Sequence, residues 1–184
     1  MYKRAQLFKN ADDSSFFVFG ARQTGKTTLF SQIYPESLRY DLLNPAEFER
    51  LTRDPDILRQ EVITKIPAGV SQKNPVIIDE IQRIPVLLDV IQSLIDKEKI
   101  QFILSGSSAR KLKRQNANLL GGRALSYSLF PLTAHEITDF DLLTALNRGL
   151  IPNHYLNANF QKRLQSYVGL YLNEEIVTEA AVRN

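Results

Sequence analysis

The junction between Ser15-Phe16-Phe17-Val18-Phe19 and Gly20-Ala21-Arg22-Gln23-Thr24-Gly25-Lys26-Thr27 constrains this chain more than any other stretch. A short apolar run closed by glycine reads as a strand buried on both faces. The next eight residues satisfy G-x-x-x-x-G-K-[ST] at every fixed position. The glycines let the backbone turn tightly, so that successive N–H groups converge on one anion. A helix expected over 26–33, ended by Tyr34-Pro35, adds its positive end at the same point. Gly20, Ala21, Arg22, Gln23, Thr24 and Gly25 therefore form an expected cradle for the phosphates of a nucleoside triphosphate. Lys26 is expected to reach the β- and γ-phosphates, Thr27 to offer its hydroxyl to Mg²⁺, and Thr28 to neighbour the α-phosphate.

Further strands alternate with amphipathic helices. Residues 37–43 read as a second strand, and Asn44-Pro45 as the N-cap and first residue of a helix. Asp54-Pro55 restarts a helix through Ile66. Val76-Ile77-Ile78-Asp79 is a third apolar run, ending in acid, and Pro85 opens a helix with one apolar face. Strands are expected at 102–104 and 125–130. This alternation implies a parallel sheet covered on both faces, with ligands outside the carboxyl ends of its strands. From Thr133 the pattern turns helical, over 134–140, 142–148 and 160–183. The expected organisation is a core over 1–132 and a helical extension over 133–184, the start of a lid or winged-helix segment.

The polar residues at the strand ends suggest chemistry. Asp79 is assigned to the metal and Glu80 to a water that attacks the γ-phosphate, with Glu80 as general base. Ser105 could position that water or sense the terminal phosphate, with Ser107 a second candidate; a serine-rich helix cap is the alternative. Arg123 and Arg110 are candidates for neutralising transition-state charge in cis; either could act on a neighbouring subunit or be plain surface. Catalytic roles are thus assigned to Lys26, Glu80, Ser105 and Arg123, and metal ligation to Thr27 and Asp79.

Composition narrows the setting. The 184 residues are 43% hydrophobic and 23% charged, ordinary for a soluble globular chain. No run approaches the roughly eighteen apolar residues of a membrane span, and no signal-peptide core follows Met1. Without cysteine there is no disulfide framework or thiolate metal site, and a cytoplasmic setting fits. A net charge of +3 does not argue for nucleic acid by itself. Residues 107–123 carry Arg110, Lys111, Lys113, Arg114 and Arg123 without an acid, a solvated face or a basic rim for phosphate or DNA. His135 and His154 read as surface or helix-cap residues rather than metal ligands. No Asn-Lys-x-Asp run for guanine occurs, which favours ATP, and adjacent Asp79-Glu80 suits attack by water better than a small-molecule kinase.

Several runs together resemble the prokaryotic AAA-like P-loop ATPases related to the archaeal and signal-transduction (STAND-type) ATPases. They are the loop through Leu29, Ile78-Asp-Glu-Ile-Gln82, Leu104-Ser-Gly-Ser-Ser108, Gly122-Arg123, Phe130-Pro-Leu-Thr-Ala-His-Glu136 and Tyr171-Leu-Asn-Glu-Glu-Ile176. The resemblance implies a three-layer α/β fold of the ASCE/AAA-like kind, with strand order 5-1-4-3-2 and ATP at its tip. It also implies a longer protein that continues into a nuclease-like domain, this chain being the N-terminal ATPase portion. The expected function is Mg²⁺-dependent hydrolysis of ATP, acting as a switch for a C-terminal effector domain or partner protein. The alternatives are a nucleotide-binding regulatory module with negligible hydrolysis and a DNA-associated ATPase; an oligomer is possible, a membrane partner is not expected.

Overall fold

The computed structural model describes residues 2, 4, 5, 8, 14–66, 74–107, 109, 112 and 120–169. The basic positions Arg110, Lys111, Lys113 and Arg114, the 171–176 run and the far part of the helix expected over 160–183 lie outside the described residues. Strands β1 (Ser15–Phe19), β2 (Arg39–Asp41), β3 (Val76–Asp79), β4 (Phe102–Gly106) and β5 (Ala124–Ser128) form one sheet in the order β2-β3-β4-β1-β5. Every neighbouring pair is parallel. This is the order 5-1-4-3-2 expected from the resemblance.

Period-two alternation sorts the strand side chains between two apolar layers. Phe16, Val18, Ile77 and Ile103 pack with Leu29 and Phe30 of α1 (Lys26–Ile33). Phe17, Phe19, Val76, Ile78, Phe102 and Leu104 turn to the other face. There they meet Leu51 of α2 (Pro45–Arg53), Leu58 and Val62 of α3 (Asp56–Lys65), and Leu87, Leu88, Ile91 and Leu94 of α4 (Leu87–Glu98). Each such side chain contributes about 1.5–3 kcal/mol relative to exposure. Burial on both faces is why β1, β3 and β4 read as continuous apolar runs.

Local signals set the helix ends. The Asn44 side chain accepts the Ala46 N–H at 3.0 Å, with Pro45 at the first helical position. Arg39 of β2 donates to the carbonyls of Phe30 at 3.0 Å and Tyr34 at 2.7 Å, closing the end of α1. Arg50 joins Glu47 at 2.8 Å to Glu61 at 2.6 Å, tying α2 to α3, and its hydrogen bond holds the Glu61 carboxyl below the usual range. Some boundaries differ from expectation. Pro85 lies in a turn before α4, where the Leu88 N–H donates to the Pro85 carbonyl at 3.0 Å, three residues back rather than four. β4 runs on through Ser105 and Gly106, which pair with Val18 and Phe19.

The described chain divides into two compact units. One, the sheet unit, comprises Gln6–Ala21 and Lys26–Leu129; the other takes in Met1–Ala5, Arg22–Gly25 and Phe130–Asn184. The second unit is therefore more than a C-terminal extension, since it includes the tip of the glycine-rich loop. Its helices are α5 (Leu142–Arg148), α6 (Pro152–Tyr155) and α7 (Phe160–Tyr167); Tyr155 of α6 joins Leu132 and Ile137 in an apolar cluster against which Ala145 of α5 packs. The helix expected over 134–140 is only a 3₁₀ turn, Ala134–Glu136, because the backbone is already extended at Ile137 (φ −110°, ψ 114°), and Asp139 beyond it has a left-handed φ of 55°. Pro152 starts the short α6, since proline suits the first helical position. No helix among the described residues is long and apolar enough to cross a membrane.

Of the two expectations for His154, a surface or a helix-cap residue, the structure excludes the first and places it in the last turn of α6. It is 1% exposed and meets the Tyr167 ring edge-on at 5.4 Å. Burial, helped by the nearby Arg163, lowers its pKa from the ordinary 6.5. The native state thus binds the proton less readily than the unfolded chain. Stability is fully present above pH 6.5 and declines as pH falls from there toward the native value. Thermal unfolding of wild type and His154→Gln at pH 7.5 and 5.5 checks this: the wild type should lose more on acidification than the variant.

Candidate active site

The site grows from the carboxyl ends of β1, β3 and β4. Because β4 lies between β1 and β3, Ser105 sits on the strand that separates the glycine-rich loop from Asp79. Pairing continues one residue past β1, where the Gly20 N–H donates to the Gly106 carbonyl at 3.2 Å. The chain then leaves the sheet through a loop with left-handed φ at Gln23 (64°) and Gly25 (91°). Ala21 and Gly25 are half-buried, Arg22 and Gln23 exposed, and Thr24 fully buried. Lys26, the first residue of α1, is 6% exposed, and its Nζ donates to the Gly20 carbonyl at 2.7 Å and the Ala21 carbonyl at 3.2 Å. The ammonium is thereby curled back over the loop that it follows. Thr28 is exposed on the first turn of the same helix.

Asp79 is the meeting point. Its Oδ2 accepts from Thr27 Oγ1 at 2.5 Å, and its Oδ1 accepts from Ser105 Oγ and from the Glu80 N–H at 3.1 Å. Ser105 is fully buried and Asp79 is 8% exposed. Two hydroxyls and a carboxylate are the hard oxygen donors that suit Mg²⁺, so the residues present fit that ion. Ser105 thus lies within β4 and bonds to Asp79, a partner not foreseen in the roles of water positioning, phosphate sensing or helix capping expected for it.

Glu80 departs from ordinary backbone. Its φ of 59° and ψ of 44° are left-handed, which costs a residue with a Cβ about 1–2 kcal/mol. The following 3₁₀ turn, Ile81–Arg83, is held by the Arg83 N–H on the Glu80 carbonyl at 3.0 Å and by Arg83 Nη1 on the Leu42 carbonyl at 2.7 Å. The turn brings Gln82 back onto Glu80: Gln82 Nε2 donates to Glu80 Oε2 and lies 3.4 Å from Ser107 Oγ. Gln82 Oε1 is buried with no hydrogen-bond partner among the described residues. This orientation of the amide is the one that keeps a donor, not an acceptor, against the carboxylate.

Gly106 makes room for that arrangement. A Cβ there would stand 2.4 Å from Gln82 Oε1 and 3.7 Å from the Phe19 ring. Gly106→Ala is expected to push Gln82 off Glu80 and cost about 1–3 kcal/mol by overpacking. The far end of Gln82 is flexible, so the fold should survive. Urea unfolding of Gly106→Ala, Gln82→Ala and the double variant checks the cause, because the cost at Gly106 should shrink once Gln82 is truncated.

Arg123 lies elsewhere. It precedes β5, whose Ala124 pairs with Ser15 at the amino end of β1, and its Nε is bound to Asp96 Oδ1 at 2.6 Å. The loop leaves the opposite end of β1, and four strand residues span about 13 Å. The in-cis role expected for Arg123 is therefore corrected: parallel entry puts it at the wrong end of the sheet. Gln82 was not among the expected site residues, although it lies within the Ile78–Gln82 run.

A parallel sheet with β4 inserted between β1 and β3, a glycine-rich loop after β1 and an acid closing β3 define the P-loop ATPase fold. The family described as an AAA domain matches residues 12–138, more than half of the 184, and the chain belongs to that family. It is similar, at 28% identity over 129 residues, to an uncharacterized protein of Haemophilus influenzae. The match covers 65% of this chain and 32% of that relative, so the chain spans about a third of the relative's length. Among solved structures it is similar to the Walker-type ATPase of Pyrococcus abyssi, with TM-score 0.54, 16% identity, and coverage of 91% of this chain and 71% of that one. At that identity the likeness concerns the fold.

Proposed function

We propose that this chain binds ATP with Mg²⁺ on the loop over residues 20–27 and hydrolyses it to ADP and phosphate. The observation that carries the reading is the junction at Asp79, where Thr27 and Ser105 both donate and Glu80 follows immediately. Lys26 exchanges its two loop carbonyls for phosphate oxygens and offsets charge on the β- and γ-phosphates. Thr27 and Asp79 hold Mg²⁺, which supplies further neutralisation of that charge when bound. Glu80 takes a proton from water as the water oxygen bonds to the γ-phosphorus and the bond to the ADP oxygen breaks. Ser105 keeps the Asp79 carboxylate oriented throughout. Family membership and the fold support the reading.

The hold of Gln82 on Glu80 favours a second, slower reading, in which ATP occupancy orders a partner interface and hydrolysis is negligible. The experiment that separates them measures phosphate release and ATP affinity in wild type and Glu80→Gln. Tight binding with equal, negligible rates in both would remove hydrolysis and leave the regulatory module. We further propose that the nucleotide state acts on a C-terminal effector domain or partner; the greater length of the Haemophilus influenzae relative supports this.

A further inference from the structure

Arg4 and Glu136 form an almost fully buried ion pair outside the residues given roles above, their side chains 7% and 3% exposed. Arg4 Nε donates to Glu136 Oε1 at 2.9 Å. The same oxygen accepts the Ala5 N–H at 2.6 Å, while Glu136 Oε2 accepts the Thr133 N–H at 2.9 Å in a capping box. Burial pushes the Glu136 carboxyl up, but these N–H groups and the guanidinium together hold it below the ordinary range. The carboxylate therefore stays charged and grips Arg4. An ion pair this deep is weak evidence of stabilisation, because desolvation offsets much of its attraction. What the rest of the guanidinium holds is more informative.

Arg4 Nη1 donates to the Thr24 carbonyl at 2.7 Å, and Nη2 to the Phe130 carbonyl at 2.7 Å. Thr24 belongs to the phosphate loop and directly precedes Gly25. Within a planar trans peptide the carbonyl and the following N–H point in opposite directions, and no peptide bond described here is cis. Fixing the Thr24 carbonyl on Arg4 therefore fixes the Gly25 N–H to face the other way. With a φ of 91°, Gly25 has the freedom to let this peptide flip, so its orientation needs an external hold. A planar fork reaching Glu136, Thr24 and Phe130 at once suits arginine and not lysine.

We propose that Arg4, clamped by Glu136, is a positioning residue for the phosphate loop: it sets the Thr24–Gly25 peptide so that the Gly25 N–H faces a bound polyphosphate. This rests on the nucleotide-binding reading above. The same guanidinium binds the carbonyl that opens residues 130–136, so phosphate occupancy and the order of that segment are linked, and by reciprocity each strengthens the other.

The test uses the full chain, with ADP and inorganic tripolyphosphate as calorimetric probes. Arg4→Lys should weaken both by a similar factor, about tenfold, because the defect lies at the phosphates and not at the base. Glu136→Gln should weaken both severalfold, with the guanidinium still present. Hydrogen exchange across residues 130–136 should slow when ADP binds wild type, and less so in Arg4→Lys. If Arg4→Lys is folded, even with a lower Tm, and binds both probes as wild type does, the proposal is overturned. If Arg4→Lys does not fold, Glu136→Gln decides: lowered affinity supports the proposal and unchanged affinity overturns it. Wild type that binds neither probe defeats the nucleotide-binding reading itself, and this proposal with it.

Discussion

Glu80→Gln should leave ATP bound and lower turnover by about 10²- to 10⁴-fold, the contribution of a well-placed general base. The substitution keeps the length of the side chain and the left-handed backbone remains open to it, so the change is chiefly one of basicity. An amide cannot take the proton from an attacking water. Asp79 keeps its bonds to Thr27 and Ser105, so metal and phosphate contacts should persist. Single-turnover phosphate release alongside calorimetric ATP affinity reads the two effects separately. A variant that releases phosphate at the wild-type rate would show that Glu80 is not the base.

Lys26→Ala is expected to act on binding. Lys26 is 6% exposed and its ammonium is already bound to the Gly20 and Ala21 carbonyls, so it is positioned at the loop before any ligand arrives. Loss of charge-assisted hydrogen bonds to phosphate costs about 1.5–3 kcal/mol, or roughly tenfold to 150-fold in affinity. ATP should suffer more than ADP, which lacks the γ-phosphate. The rise in Tm that saturating ATP gives the wild type should be correspondingly smaller. Unchanged ATP affinity in a folded Lys26→Ala variant would mean that the loop does not hold phosphate as proposed.

Much of the sheet and of the site's outline could be read from the chain, for local reasons. Burial on both faces forces continuous apolar runs, and the glycine-rich loop needs fixed residue types at fixed spacing, so β1, β3 and the loop at Gly20 announce themselves. Asp79 stood out as the acid closing a buried strand. The hold of Gln82 on Glu80 was hidden, because left-handed backbone at a glutamate has no residue-type signature. Arg4 and Glu136 stand 132 positions apart, and only the Thr133–Glu136 half of their arrangement leaves a local pattern. Arg123 misled for another reason. An arginine suits neutralisation of transition-state charge by residue type alone, whereas the direction of β5 decides at which end of the sheet it lies.

The backbone at Glu80 bears on how any substitution scan of this position should be interpreted. Two unrelated penalties overlap there, one for losing the carboxylate and one for demanding φ near 60° from an unsuitable side chain. Valine and isoleucine incur both, so an inactive Glu80→Val protein would say little about proton transfer. Asparagine, which tolerates left-handed backbone, and glycine, which favours it, carry almost only the first. Comparing expression level with activity across those replacements would separate a failed strand end from a missing base.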